Sequence, residues 1–106
     1  MKIPIRRQVY QLLMRIPVRD VKYCCKILTE YKIDYSLDKI EAHFLGGCDL
    51  KELAKAIDKI ARAKINFELW DIMMLQLAGR NMDEVAQIYI DHNNDPEVNI
   101  KSFFYG

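Results

Sequence analysis

Apolar residues recur every three or four positions along most of this 106-residue chain, which is the spacing of amphipathic α-helices. The first predicted helix covers residues 3–15, with Pro4 in its first turn. Its apolar stripe consists of Ile5, Val9, Leu12, Leu13 and Ile16. The second predicted helix runs from about Pro17 to Tyr31 and has an apolar side formed by Val18, Val21, Cys24, Cys25, Leu28 and Tyr31. The pattern therefore predicts a helical hairpin at the start of the chain.

The rest of the chain repeats this helical hairpin at a fixed interval in the sequence. This repeat step is the number of residues from Leu37 to Leu69. The same step places Gly79 on Gly47 and Glu84 on Glu52. A second shift is weaker and sets Leu13 beside Leu45. A fixed period of about this length is typical of stacked supersecondary units. We therefore predict an all-α fold of three stacked helical hairpins in a short solenoid-like array, with residues 1–106 as one domain and residues 92–106 as a breaker and aromatic tail.

Turn and cap residues separate the predicted helices. Gly46, Gly47 and Gly79 are predicted as structural turns, with one of the adjacent glycines at positive φ. Short polar side chains precede the later helices and are predicted as N-caps: Asp34 or Ser36, then Asp49, Asn66 and Asn81. The fifth helix is apolar on almost all sides, so we expect Trp70 and its neighbouring methionines to lie in the core.

Charge is distributed unevenly along the chain although the net charge is only +1. Residues 1–26 carry +6, residues 27–64 carry 0 and residues 65–106 carry −5. If the hairpins stack in order, opposite charges face outward at the two ends, and copies of the chain could associate head to tail. The basic residues of the first hairpin are the candidate surface for a membrane or a protein partner: Arg6, Arg7, Arg15, Arg19, Lys22 and Lys26.

Candidate catalytic and metal-binding residues are few. Cys24, Cys25 and Cys48 are predicted to be small apolar residues at helix packing surfaces, and His43 to be half-buried beside a turn. No spacing typical of zinc ligands occurs, and no third group orients a Cys48–His43 pair. We therefore predict a non-enzyme without metal or cofactor and with no evident small-molecule substrate.

The sequence also argues against binding of phosphate or nucleic acid. The Gly46-Gly47 turn joins two helices and lacks the Lys-Ser/Thr pair of a phosphate-binding loop. Acidic residues begin the second helix of the later hairpins, where a DNA-recognition helix would meet phosphate, so nucleic acid is not the expected partner. Without an apolar run of about 18 residues or a signal peptide, a cytoplasmic protein is predicted. The alternative is peripheral attachment at the inner membrane face through the basic hairpin.

Several pieces of the chain resemble a known family when taken together. They are the runs Leu37–Gly47, Ala63–Ile65, Phe67–Glu68 and Leu77–Asn81, with looser similarity back to about Arg15. In combination they resemble bacterial flotillin-like proteins, in the stretch between the membrane anchor and the stomatin/prohibitin/flotillin-type domain. Some relatives are also grouped as sigma-W regulon proteins that protect against antimicrobial compounds.

The resemblance implies a non-catalytic scaffold that assembles into oligomers and organises membranes, so it supplies no catalytic residues. It implies a protein partner, either a second copy of the chain or a flotillin-like relative. The chain departs from the family pattern because the sequence has no membrane hairpin before this stretch and no stomatin-type domain after it.

Overall fold

The structure is a computed structural model that describes residues 4–92. This part of the chain consists of six α-helices and contains no β-strand, which confirms the predicted all-α class. The helices are α1 (Ile5–Leu13), α2 (Val18–Glu30), α3 (Leu37–Leu45), α4 (Leu50–Arg62), α5 (Leu69–Leu77) and α6 (Met82–His92). His92 belongs to α6, not to a breaker as predicted. The predicted tail from Asn93 onward lies outside the described residues.

The longer helices α2, α4 and α6 form the centre of the molecule. Helix α4 packs against α2 on one side and against α6 on the other, while α3 and α5 lie against these helices. The six buried residues of α4 explain its position, since they cover more than one side of the helix: Leu50, Leu53, Ala54, Ala56, Ile57 and Ile60. The described part is elongated, with extents of 48 × 25 × 17 Å.

The three turns that follow α1, α3 and α5 have the same geometry. Each contains one residue at positive φ, which is Arg15 (56°), Gly47 (99°) or Gly79 (90°). In each, the next backbone N–H donates to a carbonyl five residues earlier, as Ile16 N does to Gln11 O at 2.8 Å. This closes the exposed end of a helix in the manner of a Schellman motif. The positive φ predicted for one of the adjacent glycines is confirmed at Gly47.

Helix starts and turns are spaced regularly along the chain. Helices α1, α3 and α5 begin at Ile5, Leu37 and Leu69, which are evenly spaced. Helices α2, α4 and α6 begin at Val18, Leu50 and Met82, with the same spacing. This spacing equals the step of the sequence repeat, so positions one repeat step apart can be compared directly. The interpretation of the hairpins as a stacked solenoid-like array stays a prediction.

Side-chain caps are present at two of the predicted helix starts. Asp49 Oδ1 accepts from Lys51 N at 2.9 Å and from Glu52 N at 3.2 Å, and Asn81 Oδ1 accepts from Glu84 N at 3.1 Å. The predicted cap Asn66 is wrong, because α5 begins after Glu68. Ser36 occupies the cap position of α3 but makes no side-chain cap bond.

The three cysteines are buried, as the sequence indicated. Cys24 and Cys25 are adjacent in α2, so their side chains point in different directions from the helix axis. Both nevertheless lie in the core. Burial raises the pKa of the Cys24 thiol to about 12, and it raises the pKa of Cys25 and Cys48 as well. All three are therefore thiols near neutral pH, and they contribute to packing as small apolar groups.

Candidate interaction surface

The basic residues predicted as a binding surface are divided between two environments. Five of them are exposed on α1, α2 and the intervening turn: Arg6, Arg15, Arg19, Lys22 and Lys26. Arg7 differs, because its guanidinium turns toward α3 and pairs with Asp38 and Glu41. Arg7 therefore joins α1 to α3, while the use of the basic residues as a binding surface stays a prediction.

Helix α1 places its apolar side chains in solvent. The exposed fractions are 78% for Ile5, 50% for Val9, 77% for Leu12 and 76% for Leu13. Gln11, which is polar, is fully buried against α3. The residues of the predicted stripe do share one side of α1, but the prediction that this side faces the core was wrong. Of the stripe, only Ile16 is buried. Val18, predicted to be buried at the start of α2, is also exposed.

Equivalent positions in the later hairpins explain this exposure. Val9 corresponds, at successive repeat steps, to Glu41 and Met73, both of which are buried beneath a neighbouring hairpin. Val18 corresponds to Leu50 and Met82, which are also buried. We call the exposed residues of α1 and the start of α2 the first-hairpin face: Ile5, Val9, Leu12, Leu13 and Val18, with the five exposed basic residues. This face belongs to the first of the three described hairpins, and its apolar side chains are exposed within residues 4–92.

The contacts between α1 and α3 form the first junction, and they are polar. Gln11 Nε2 donates to Glu41 Oε2 at 2.7 Å, and Arg7 Nε lies 2.9 Å from Glu41 Oε1 in an ion pair. Arg7 also donates to Asp38 Oδ1. Gln11 Oε1 has no hydrogen-bond partner within residues 4–92. Helix α1 is therefore attached by its polar side, which leaves its apolar side available.

The contacts between α3 and α5 form the second junction. Gln76 Nε2 donates to Asp49 O at 2.8 Å, which orients the Gln76 amide so that its Oε1 faces His43 Nε2 at 2.8 Å. His43 is buried, not half-buried as predicted, and burial lowers its pKa, while the bond to Gln76 opposes that shift. Lys39 Nζ lies 5.9 Å from the ring centre of Trp70. Trp70 is 58% exposed, so its prediction as a core residue was wrong.

The arrangement of the cysteine and histidine residues does not resemble a catalytic centre. His43 Nε2 is directed at Gln76, and the Cys48 thiol is buried with a raised pKa. A nucleophilic cysteine needs a lowered pKa and access to substrate. Within residues 4–92, no group of three or more His, Cys, Asp or Glu side chains is placed to hold a metal ion.

The opposite end of the molecule carries acidic side chains. Asp83, Glu84 and Asp91 are exposed on α6, while Glu68 precedes α5 and Asp71 lies in its first turn. The first-hairpin face is basic and the α5–α6 end is acidic, which fits the charge gradient seen in the sequence. The two ends are therefore electrostatically complementary.

No helix within residues 4–92 combines the length and apolar character that crossing a bilayer requires.

Comparison with known proteins connects the chain to one family. Over 75 residues, or 71% of the chain, it is 35% identical to the flotillin-like protein FloA of Alkaliphilus metalliredigens (strain QYMF). The chain spans 22% of that relative's length. No family model matches the chain, and no solved structure matches it. The resemblance predicted from the sequence is confirmed over the matched residues.

Proposed function

Because the matched part of this chain belongs to the flotillin-like family, we propose that the protein is a non-catalytic helical interaction module that binds a protein partner on its first-hairpin face. The partner is a second copy of the chain or a flotillin-like relative. Through that contact the module serves a membrane-organising scaffold of the kind that the family resemblance implies.

The exposure of α1 carries this proposal. Four apolar residues of one short helix lie in water, while most of their counterparts in α3 and α5 are buried or partly buried. A contiguous apolar surface with a charged rim is a feature of protein–protein interaction sites. Burying these side chains against a helical partner would remove their apolar area from water, which is the main favourable contribution to association.

The buried chemistry of the chain supports the non-catalytic part of the proposal. Burial raises the pKa values of the cysteines. Burial also lowers the pKa of His43, which keeps its ring neutral near pH 7, and the ring is hydrogen-bonded to the Gln76 amide. These groups are suited to packing and to joining helices, not to proton transfer at a substrate.

An anionic membrane surface is the second candidate for the same face. Helix α1 carries exposed apolar side chains, and Arg6, Arg15 and Arg19 are exposed close by in sequence. Amphipathic helices that lie in the membrane interface combine these features. In this case the module would attach directly to the lipid and not through another protein.

Site-specific photo-crosslinking in cells tests the proposal. A photoreactive residue replaces Leu12 on the first-hairpin face, and a matched variant carries it at Lys55, which is exposed on α4. We expect Leu12 to form adducts with identified peptides of this chain or of a flotillin-like protein, and Lys55 to form none. Adducts with lipid would favour the membrane candidate instead. Equal labelling from both positions would overturn the assignment of this face.

A further inference from the structure

We infer that a row of three exposed leucines, one in each hairpin, binds an extended segment of another protein that is acidic, rich in proline and apolar at every third residue. We call Leu13, Leu45 and Leu77 the leucine row. The row shares only Leu13 with the first-hairpin face, and its ligand is a linear segment and not a folded domain. The inference therefore goes beyond the proposed function.

The leucine row is a recurring feature of the hairpins. Its members occupy the same position one repeat step apart, at the ends of α1, α3 and α5. They are 76%, 41% and 51% exposed in chain order. Leu45 belongs to the middle hairpin, which contacts a hairpin on each side, so a missing neighbour does not explain its exposure. Exposed apolar residues that recur at one position form an organised surface, which is a feature of binding sites.

The spacing of the row determines which kind of ligand fits. Neighbouring first helices are joined by side chains: Arg7 of α1 pairs with Glu41 of α3, and the Cβ position of Gly46 on α3 lies 3.6 Å from Leu77 Cδ1 on α5. Helices in contact lie about 8–10 Å apart. In a polyproline II helix every third residue lies on the same side, at intervals of about 9 Å. A segment that crosses the three helices in this conformation can place one apolar side chain on each leucine of the row.

The size of the row favours a linear segment over a folded partner. One residue per helix forms a narrow strip, and its three leucines expose an apolar area of only about a few hundred Å². A standard interface between folded proteins buries about 800 Å² on each partner. A single extended chain fits this strip better than the broad surface of a second domain.

Two exposed cations determine the charge of the ligand. Arg6 and Lys39 lie toward the starts of α1 and α3, about 10 Å along the helix axes from Leu13 and Leu45. Within residues 4–92 neither cation forms an ion pair with a carboxylate. Residues of a polyproline II helix point in turn to three sides, so carboxylates beside the apolar side can meet these cations. A repeat of leucine, proline and glutamate meets these requirements.

Trp70 reports on this surface because it is the only tryptophan of the chain. It lies two turns from Leu77 on the same side of α5, and Lys39 Nζ is 5.9 Å from its ring centre, so a carboxylate that attracts Lys39 changes its surroundings. Fluorescence titration of the full chain with a peptide of three Leu-Pro-Glu repeats tests the inference. A matched peptide has the same composition with its leucines adjacent. We expect saturable binding of the first peptide and binding of the second that is weaker by about tenfold or more.

Substitutions on the protein test the named contacts. Leu45→Ala should weaken binding of the repeat peptide by about tenfold, and Lys39→Gln by about two- to fivefold. Asp34 lines the same cleft as Lys39 and repels a carboxylate there, so Asp34→Asn should strengthen binding. Lys55→Gln on α4 is the matched control and should have no effect. Circular dichroism melts verify that each variant is folded.

Three results would overturn the inference. The first is no saturable response of Trp70 up to about 1 mM peptide. The second is equal binding of the two peptides, or of the repeat peptide to the wild type and to Leu45→Ala. The third is a larger Trp70 response to anionic lipid vesicles, or to the concentration of the chain itself, than to the peptide. Leu12 lies outside the leucine row, so crosslinking from Leu12 tests the proposed function separately.

Discussion

Three buried polar side chains join the outer helices of this molecule. Gln11 and Glu41 connect α1 to α3, and His43 connects α3 to α5. Helical periodicity does not identify such residues. A polar side chain among apolar positions can be buried, or it can mean that the buried side of the helix lies elsewhere. Burying a polar group costs free energy that hydrogen bonds offset, so these contacts favour one arrangement of the helices.

The His43–Gln76 contact leads to a prediction about titration. Burial disfavours the imidazolium and lowers the pKa of His43 below 6.5, while the bond to Gln76 raises it in part. We expect Gln76→Leu to lower the pKa of His43 further, as measured by NMR titration of its ring protons. Gln87→Leu changes an amide that bonds to Asp91 on α6 and should leave the titration unchanged.

The same shift makes stability depend on pH. Because the folded-state pKa of His43 is depressed, the unfolded chain binds more protons as pH falls, and the free energy of unfolding decreases below about pH 6.5. This decrease should become steeper in Gln76→Leu. A His43 pKa that rises in this variant would contradict the contact.

At the scale of elements, helix positions follow closely from the sequence, while their exposure does not. Helix α3 ends at Leu45, directly before Gly46 and Gly47, which were predicted as structural turns. Asn66 was a wrong cap because α5 begins two residues later than predicted, with Glu68 at the N-cap position and no side-chain cap bond. The burial of the α1 stripe and of Trp70 was also wrong, because periodicity identifies an apolar face but not what covers it.

The turn after α3 leads to a prediction about adjacent glycines. Gly47 has a φ of 99°, where a Cβ is strained, although no atom lies within 4 Å of its Cβ position. We expect Gly47→Ala to lower the free energy of unfolding by about 1–2 kcal/mol through backbone strain alone. Gly46 has a φ of −76° and ordinary contacts from 3.5 Å, so Gly46→Ala should be neutral or stabilise by about 0.4–1 kcal/mol. Urea denaturation measures both, and equal effects would contradict the turn geometry.

At the scale of the whole molecule, the candidate surface was only partly accessible to sequence reasoning. Its charge gradient could be predicted, because charges can be counted along a chain whose hairpins follow in order. The inward role of Arg7 could not, since it depends on Asp38 and Glu41 being brought to α1 by the fold. The apolar part of the surface became visible only when Val9 could be compared with its buried counterparts.

The polar attachment of α1 makes it an edge unit whose docking can be tested apart from the core. A helix of nine residues has little stability alone, so its order depends on the first junction. We expect Glu41→Met to remove the partner of Gln11 and one partner of Arg7, and to speed hydrogen exchange of the α1 amides by about tenfold or more, because it leaves a buried amide unpaired. Amides of α4, packed between α2 and α6, should remain the slowest to exchange.

Two further variants separate pairing from packing at this junction. Asp38→Asn alters the exposed partner of Arg7 and should change α1 exchange little, because exposed ion pairs contribute about 0–1 kcal/mol. Gln11→Leu/Glu41→Met replaces both buried groups with apolar ones and should restore protection, because no buried amide is then left unpaired. If the double variant protects α1 no better than Glu41→Met alone, the first junction does not hold α1 through this polar pair. If it restores α1, the polar pair serves to orient the helix with its apolar side chains exposed.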